Sequence, residues 1–93
     1  MKKINSGWLA QLTNKLDRNV RRDIRTVCAK SNLPIPEEII TTSIGANGRE
    51  YKRKEYLIDY CLTMVMVTGY LAHKHPSQTM DAIDKVNAAF SIA

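Results

Sequence analysis

A mainly helical α+β domain is what this sequence predicts: paired helices at the start, a β-hairpin in the middle and helices at the C-terminal end. Three observations lead there. Apolar residues recur at helical spacing from Trp8 to Leu12 and again from Val20 to Cys28, on either side of a short polar corner. A β-branched run from Glu38 to Ile44 meets Gly45-Ala46-Asn47-Gly48 and returns through Arg49 to Leu57. Helical spacing resumes at about Ile58 and continues, with one break at His73 to Pro76, toward the end. The 93 residues suit one domain with a modest core, divided as 4–31, 38–57 and 58–92, and leave no room for an active-site cleft between domains.

Taken in order, Ser6 is expected to cap a first helix that runs through Thr13, with Trp8, Leu9 and Leu12 facing inward. Trp8 reads as packing. Asn14-Lys15-Leu16 is the corner, with Leu16 folded under as its apolar plug, and Asp17 is the expected cap of a second helix, where its carboxylate also suits the positive end of the helix dipole. Along that helix Val20, Ile24, Val27 and Cys28 form one stripe. Arg18, Asn19, Arg21, Arg22 and Arg25 are left on the outer and flanking faces. Pro34 and Pro36 prevent any continuation and hold Leu33 and Ile35 extended.

Glu38 to Ile44 and Arg49 to Leu57 read as two strands around a four-residue tip of residues that tolerate positive φ, with Thr41, Thr42 and Ser43 as strand fillers. The return strand carries a basic group, Arg49, Lys52, Arg53 and Lys54. Beyond it Asp59 stands at the start of a helix whose stripe is read as Leu57, Cys61, Met64, Val65 and Thr68. Ser77 or Thr79 caps a last helix with Met80, Ile83, Val86, Asn87 and Phe90 on one side, which closes the core or forms a dimer seam.

Charge is distributed unevenly. Residues 1–30 hold eight basic and two acidic side chains, a balance of +6, whereas the whole chain is +5. With a pI near 9.4, that asymmetry points to a polyanionic partner. The most apolar run, Leu57 to Ala72, is interrupted by Asp59 and is shorter than a membrane span, and no signal-like start precedes it, so a cytoplasmic protein is expected. Cys28 and Cys61 lack a CxxC partner or neighbouring histidine ligands and are read as small buried hydrophobes in a reducing compartment.

Helix, turn, basic helix, hairpin and helix is the order of a winged helix-turn-helix, and the residues also resemble a family. Ser6, Leu9-Ala10, Leu12-Thr13, Lys15, Asn19-Val20 and Arg22-Asp23-Ile24-Arg25 are similar to the opening motif of Rha-type phage regulatory proteins, which are related in their use to phage antirepressors. Gly48-Arg49-Glu50-Tyr51, Asp59, Met64-Val65-Met66, Thr68-Gly69 with Ala72, and Lys85 to Phe90 follow in that family's order. Lys52 and Lys54 stand where the family usually has proline and an aromatic residue, and Tyr60-Cys61 where it has Gly-Phe. Longer members carry a further C-terminal domain that is not expected here.

The resemblance implies a phage or prophage transcriptional regulator of double-stranded DNA. In a helix-turn-helix the start of the second helix enters the major groove, which assigns base edges to Arg18, Asn19 and Arg22. Lys15, Arg21 and Arg25 are expected on phosphates, and Arg49, Lys52, Arg53 and Lys54 along the backbone or minor groove, with Asn47 and Gly48 at the wing tip. The alternative is an antirepressor that binds a phage repressor protein and displaces it from its operator, anchored by Trp8, Tyr51, Tyr56 or Tyr70. An RNA-binding role is weaker, since the four tyrosines form no stacking platform motif. No catalytic residue, metal site or cofactor is expected. Ser77 lacks a nucleophile elbow, Gly45 to Gly48 lacks the Lys-Ser/Thr of a P-loop, and His73 and His75 have no ligand partners at suitable spacing.

Overall fold

The computed structural model describes residues 2–91, and about half of the chain is helical. Strand β1, Ile4–Asn5, leads directly into helix α1, Ser6–Thr13. The cap of α1 is Asn5, whose side-chain oxygen accepts the Trp8 amide at 3.2 Å. Ser6, expected in that role, instead lies buried in the first turn, and its Oγ accepts the amide of Tyr56 at 3.0 Å. The difference arises because β1 must finish pairing before the helix can start, which turns Ser6 toward the sheet and leaves Asn5 at the junction.

Helix α1 stops where Asn14 adopts a left-handed backbone (φ 56°) and the Lys15 amide returns to the Ala10 carbonyl at 2.9 Å. That closure completes the corner before Leu16, which therefore points outward at 57% exposure and is no plug. Leu16 occupies the backbone cap position of helix α2, Asp17–Lys30, without a side-chain cap bond, so Asp17 is the helix's first residue and not its cap. Val20, Ile24 and Cys28 are buried along α2 and Val27 is half-buried, as the stripe predicts. A left-handed Asn32 and a bond from the Leu33 amide to the Cys28 carbonyl (2.8 Å) end it, a common helix stop.

Strands β2, Glu38–Ile44, and β3, Glu50–Ile58, form the expected hairpin, in register from Glu38 opposite Tyr56 to Ile44 opposite Glu50. Its tip is closed by bonds from Gly48 N to Gly45 O (3.0 Å), from Gly45 N to Arg49 O (2.8 Å) and from Arg49 N to Asn47 Oδ1 (3.1 Å). Gly48 takes the left-handed position at φ 76°. The sheet is not two-stranded, however. β1 pairs antiparallel with the other edge of β3, Ile4 against Ile58, giving the order β1-β3-β2 and making β3 central. A strand of two residues has no alternation to read, so the sequence pattern offered no sign of it.

Asp59 caps helix α3, Tyr60–Tyr70, by accepting the Leu62 amide at 2.8 Å. Its buried residues are Thr63, Met66 and Val67, whereas Cys61 and Val65 from the expected stripe are exposed. This helix is apolar on most sides, so period alone did not decide which side faced in. Thr63 is a core residue because its hydroxyl donates to the Asp59 carbonyl at 2.7 Å and brings no unmet polar group inside. Helix α4, Pro76–Ala89, is capped by His75, whose Nδ1 accepts the Ser77 amide, in place of Ser77 or Thr79. It buries Ala82, Val86 and Phe90 and leaves Met80 outside, while Ile83 and Asn87 are half-buried. Phe90 packs edge-on to Tyr60 at 5.5 Å between centroids, and the Tyr60 hydroxyl donates to Asn87 Oδ1 at 2.7 Å. The inward stripe of α4 is thus used within the chain's own core.

Glu55 is a buried carboxylate on β3, packed against the first turn of α1. A Cβ placed on Gly7 would overlap Glu55 Oε1, so a larger residue there would have to push the buried carboxylate aside. Gly7→Ala, which in an open helix would stabilise by up to about 1 kcal/mol, is expected to cost roughly 1–3 kcal/mol here by overpacking. Denaturant unfolding checks this, and pairing it with Glu55→Ala should remove most of the loss. Ser6→Ala leaves the buried Tyr56 amide without its acceptor and is expected to cost about 1–3 kcal/mol in the same assay.

Candidate nucleic-acid interface

The basic face is built on α2 and the hairpin. With Val20, Ile24 and Cys28 turned inward, helical spacing places Arg18, Arg22 and Arg25 along the outward ridge, and all three are exposed. Arg18 makes no ion pair or side-chain hydrogen bond among the described residues. Arg22 lies beside Asp23, Nε to Oδ1 at 3.3 Å, on a mostly solvated surface where such a pair adds little stability. Asn19 is half-buried on one flank of the ridge. Arg21 is half-buried on the other, and its Nε is enclosed without a hydrogen-bond partner among the described residues.

Two contacts fasten the hairpin to this helix. Arg25 Nη1 donates to the Tyr56 hydroxyl at 3.2 Å, and Arg53 Nη1 donates to Asp17 Oδ2 at 2.9 Å. Arg25 and Arg53 are therefore committed in part to holding helix and hairpin together, a role that charge counting did not distinguish from the others. Lys52 and Lys54 alternate with Arg53 and share a strand face with Tyr56, while Arg53 stands on the other, so α2 is reached from both faces of β3. Both are exposed. Lys54 reaches Glu38 at 3.9 Å, and Lys52 has no partner among the described residues. Arg49 is exposed at the base of the tip, where its backbone amide and carbonyl are engaged and its guanidinium has no partner among the described residues.

Lys15 sits at the corner with its ammonium 5.4 Å from the centre of the Tyr70 ring. The Tyr70 hydroxyl donates to Asp23 Oδ2 at 2.6 Å, so Asp23 is held by the end of α3 on one oxygen and faces Arg22 with the other. Lys15, Tyr70, Asp23 and Arg22 form a continuous chain of contacts from the corner to the ridge. Tyr56 and Tyr70, which organise this surface, were not read from the sequence as its supports. The only hint was Asp23 among arginines, expected to pair locally.

Of the cysteines, Cys28 is buried and burial, then the Asp59 charge, push its thiol up, whereas Cys61 is exposed, contrary to expectation. Both are free. No helix among the described residues is long and apolar enough to cross a membrane. No protein-family model, curated protein or solved structure matches the chain.

Burial and the bond to Asp23, followed by that carboxylate's charge, push the Tyr70 hydroxyl well above the ordinary tyrosine range, with Arg22 opposing them. The unfolded chain then gives up this proton first as pH rises past about 10, so the contribution of Tyr70 is complete below that pH and falls away above it. Tyr70→Phe is expected to weaken the protein at neutral pH and to lose less further stability than the parent between about pH 9 and 11, read from urea midpoints.

Proposed function

We propose that this chain is a phage-type transcriptional regulator that binds duplex DNA as a winged helix-turn-helix. α2 lies in the major groove and the β2–β3 hairpin serves as its wing. One observation carries the reading. The outward Arg18–Arg22 ridge is tied through Arg25–Tyr56 and Asp17–Arg53 to a hairpin that adds the exposed Lys52 and Lys54. The connectivity supports it too, since a strand, two helices around a tight corner and a hairpin joined as β1-β3-β2 is the arrangement a winged helix uses. The resemblance to Rha-type proteins adds the phage setting.

In this reading Arg18, Asn19 and Arg22 meet base edges, where arginine engages both acceptors of guanine and asparagine those of adenine. Lys15 and the wing lysines neutralise phosphates and supply affinity that falls as salt rises. Arg25 and Arg53 set the angle between helix and wing.

Fluorescence anisotropy across a salt series on sequences selected from a random pool tests the assignment. Arg22→Ala is expected to cost about 1–3 kcal/mol and to relax base preference at one position. Lys52→Ala should weaken all sequences alike and lower the slope of log K against log salt by about 1. Absence of binding at low salt, combined with capture of a repressor protein by the same chain, would replace this reading with the antirepressor.

A further inference from the structure

The outer edge of the sheet is unprotected. β2 is the terminal strand of the order β1-β3-β2, and Ile39 to Ile44 contains no charge, proline or glycine, the features by which exposed edges are ordinarily kept from pairing. The hydrogen-bond pattern shows which backbone groups are free. Glu37 O accepts from Leu57 N and Gly45 N donates to Arg49 O, so with a period of two Ile39, Thr41 and Ser43 bond inward to β3. Glu38, Ile40, Thr42 and Ile44 turn their N–H and C=O groups outward. On the same strand Ile40 and Ile44 stand 63% and 74% exposed, the most exposed large aliphatic side chains among the described residues apart from Met80.

We propose that β2 is the seam of a two-fold homodimer, paired antiparallel with β2 of a second copy about Thr41. The edge complements itself in that register. Ile40 lies opposite Thr42 of the other copy, Glu38 opposite Ile44, and all four outward residues exchange backbone bonds in both directions. The lysines do not oppose the joining. On the Tyr56 face the row across the seam runs Lys54, Ile40, then Thr42 and Lys52 of the other copy, so the ammonium-bearing strands are three strand spacings, roughly 14 Å, apart. That exceeds the screening length of about 8 Å at physiological salt. A second copy is favoured over a basic or acidic strand because the edge between Ile39 and Ile44 has no charge to recognise one.

The dyad of an antiparallel strand pair is perpendicular to the sheet. The Tyr56 faces of both copies then lie on one side, and two separate hairpins become one four-stranded ribbon bearing Lys52 and Lys54 twice. The pairing does not depend on DNA, and it joins the two copies through their wings and not through α4.

Sedimentation equilibrium of the full chain without DNA tests it, with an expected mass twice the 10.5 kDa of one chain. Thr41 would face its own copy across a pair about 4.5 Å apart at Cα, within disulfide reach, so Thr41→Cys in a Cys61→Ser background should give a reducible covalent dimer under mild oxidation. Thr42→Pro removes an outward amide and no intrachain bond, and it should yield a monomer with unchanged helical circular dichroism. Ile40→Lys, an exposed position that does not challenge folding, should weaken dimerisation by at least about tenfold through charge at the seam. A chain that stays monomeric at all concentrations would overturn the proposal, as would a dimer that survives Thr42→Pro and Ile40→Lys or fails to cross-link through Thr41→Cys. The DNA titration is read separately on the monomeric variant, so the two proposals fail independently.

Discussion

Tyr56 is the point on which the arrangement of this molecule depends. Its amide donates to Ser6 at the start of α1, its hydroxyl takes a bond from Arg25 on α2, and its ring is buried in the shared core. It belongs to β3, the strand paired on both sides. One residue therefore fixes the corner helices and the hairpin relative to each other. Hydrogen bonds of this kind add modest stability each, but a buried donor or acceptor left without its partner is expensive, and that asymmetry makes the geometry specific.

Residues with similar charge consequently have different work. Arg25 and Arg53 spend guanidinium bonds on Tyr56 and Asp17, while Arg18, Lys52 and Arg49 direct theirs to solvent. Lys15 rests on an aromatic ring and Arg22 shares Asp23 with Tyr70. The side chains already held, Arg25, Arg53 and Lys15, would lose less freedom on any further contact than the solvated ones.

The sequence made the helix pair, the hairpin and the inward face of α2 legible because each repeats a period several times. Val20, Ile24 and Cys28 span just over two turns, and the strands flank an unmistakable glycine-rich tip. What it hid had no period. β1 is too short to alternate, and Ser6 and Asp17 are good cap residues displaced by one position because pairing of β1 and closure at Asn14 set where the helices begin. Leu16 was read inward as the corner's apolar plug and Cys61 by helical spacing, and both are exposed. In α3 an abundance of apolar residues left the orientation to tertiary packing, which chose Thr63 over Val65. At the basic surface, residue types were readable, but the tyrosine supports were not, since they contact α2 from 31 and 47 positions away.

The pairing of β1 with β3 also constrains the order in which the chain assembles. Ser6 and Tyr56 are 50 positions apart, and everything between them is the helix pair, the connector and the hairpin. Local elements form at small entropic cost, whereas closing that loop rewards the chain only once its contents are compact. The hairpin and α2 are thus expected to organise first, with the N-terminal strand docking late as a clasp. A fragment ending at residue 31 would hold both helices of the corner and still lack what sets the angle between them and the sheet, so α2 and the hairpin are one cooperative unit, not two modules.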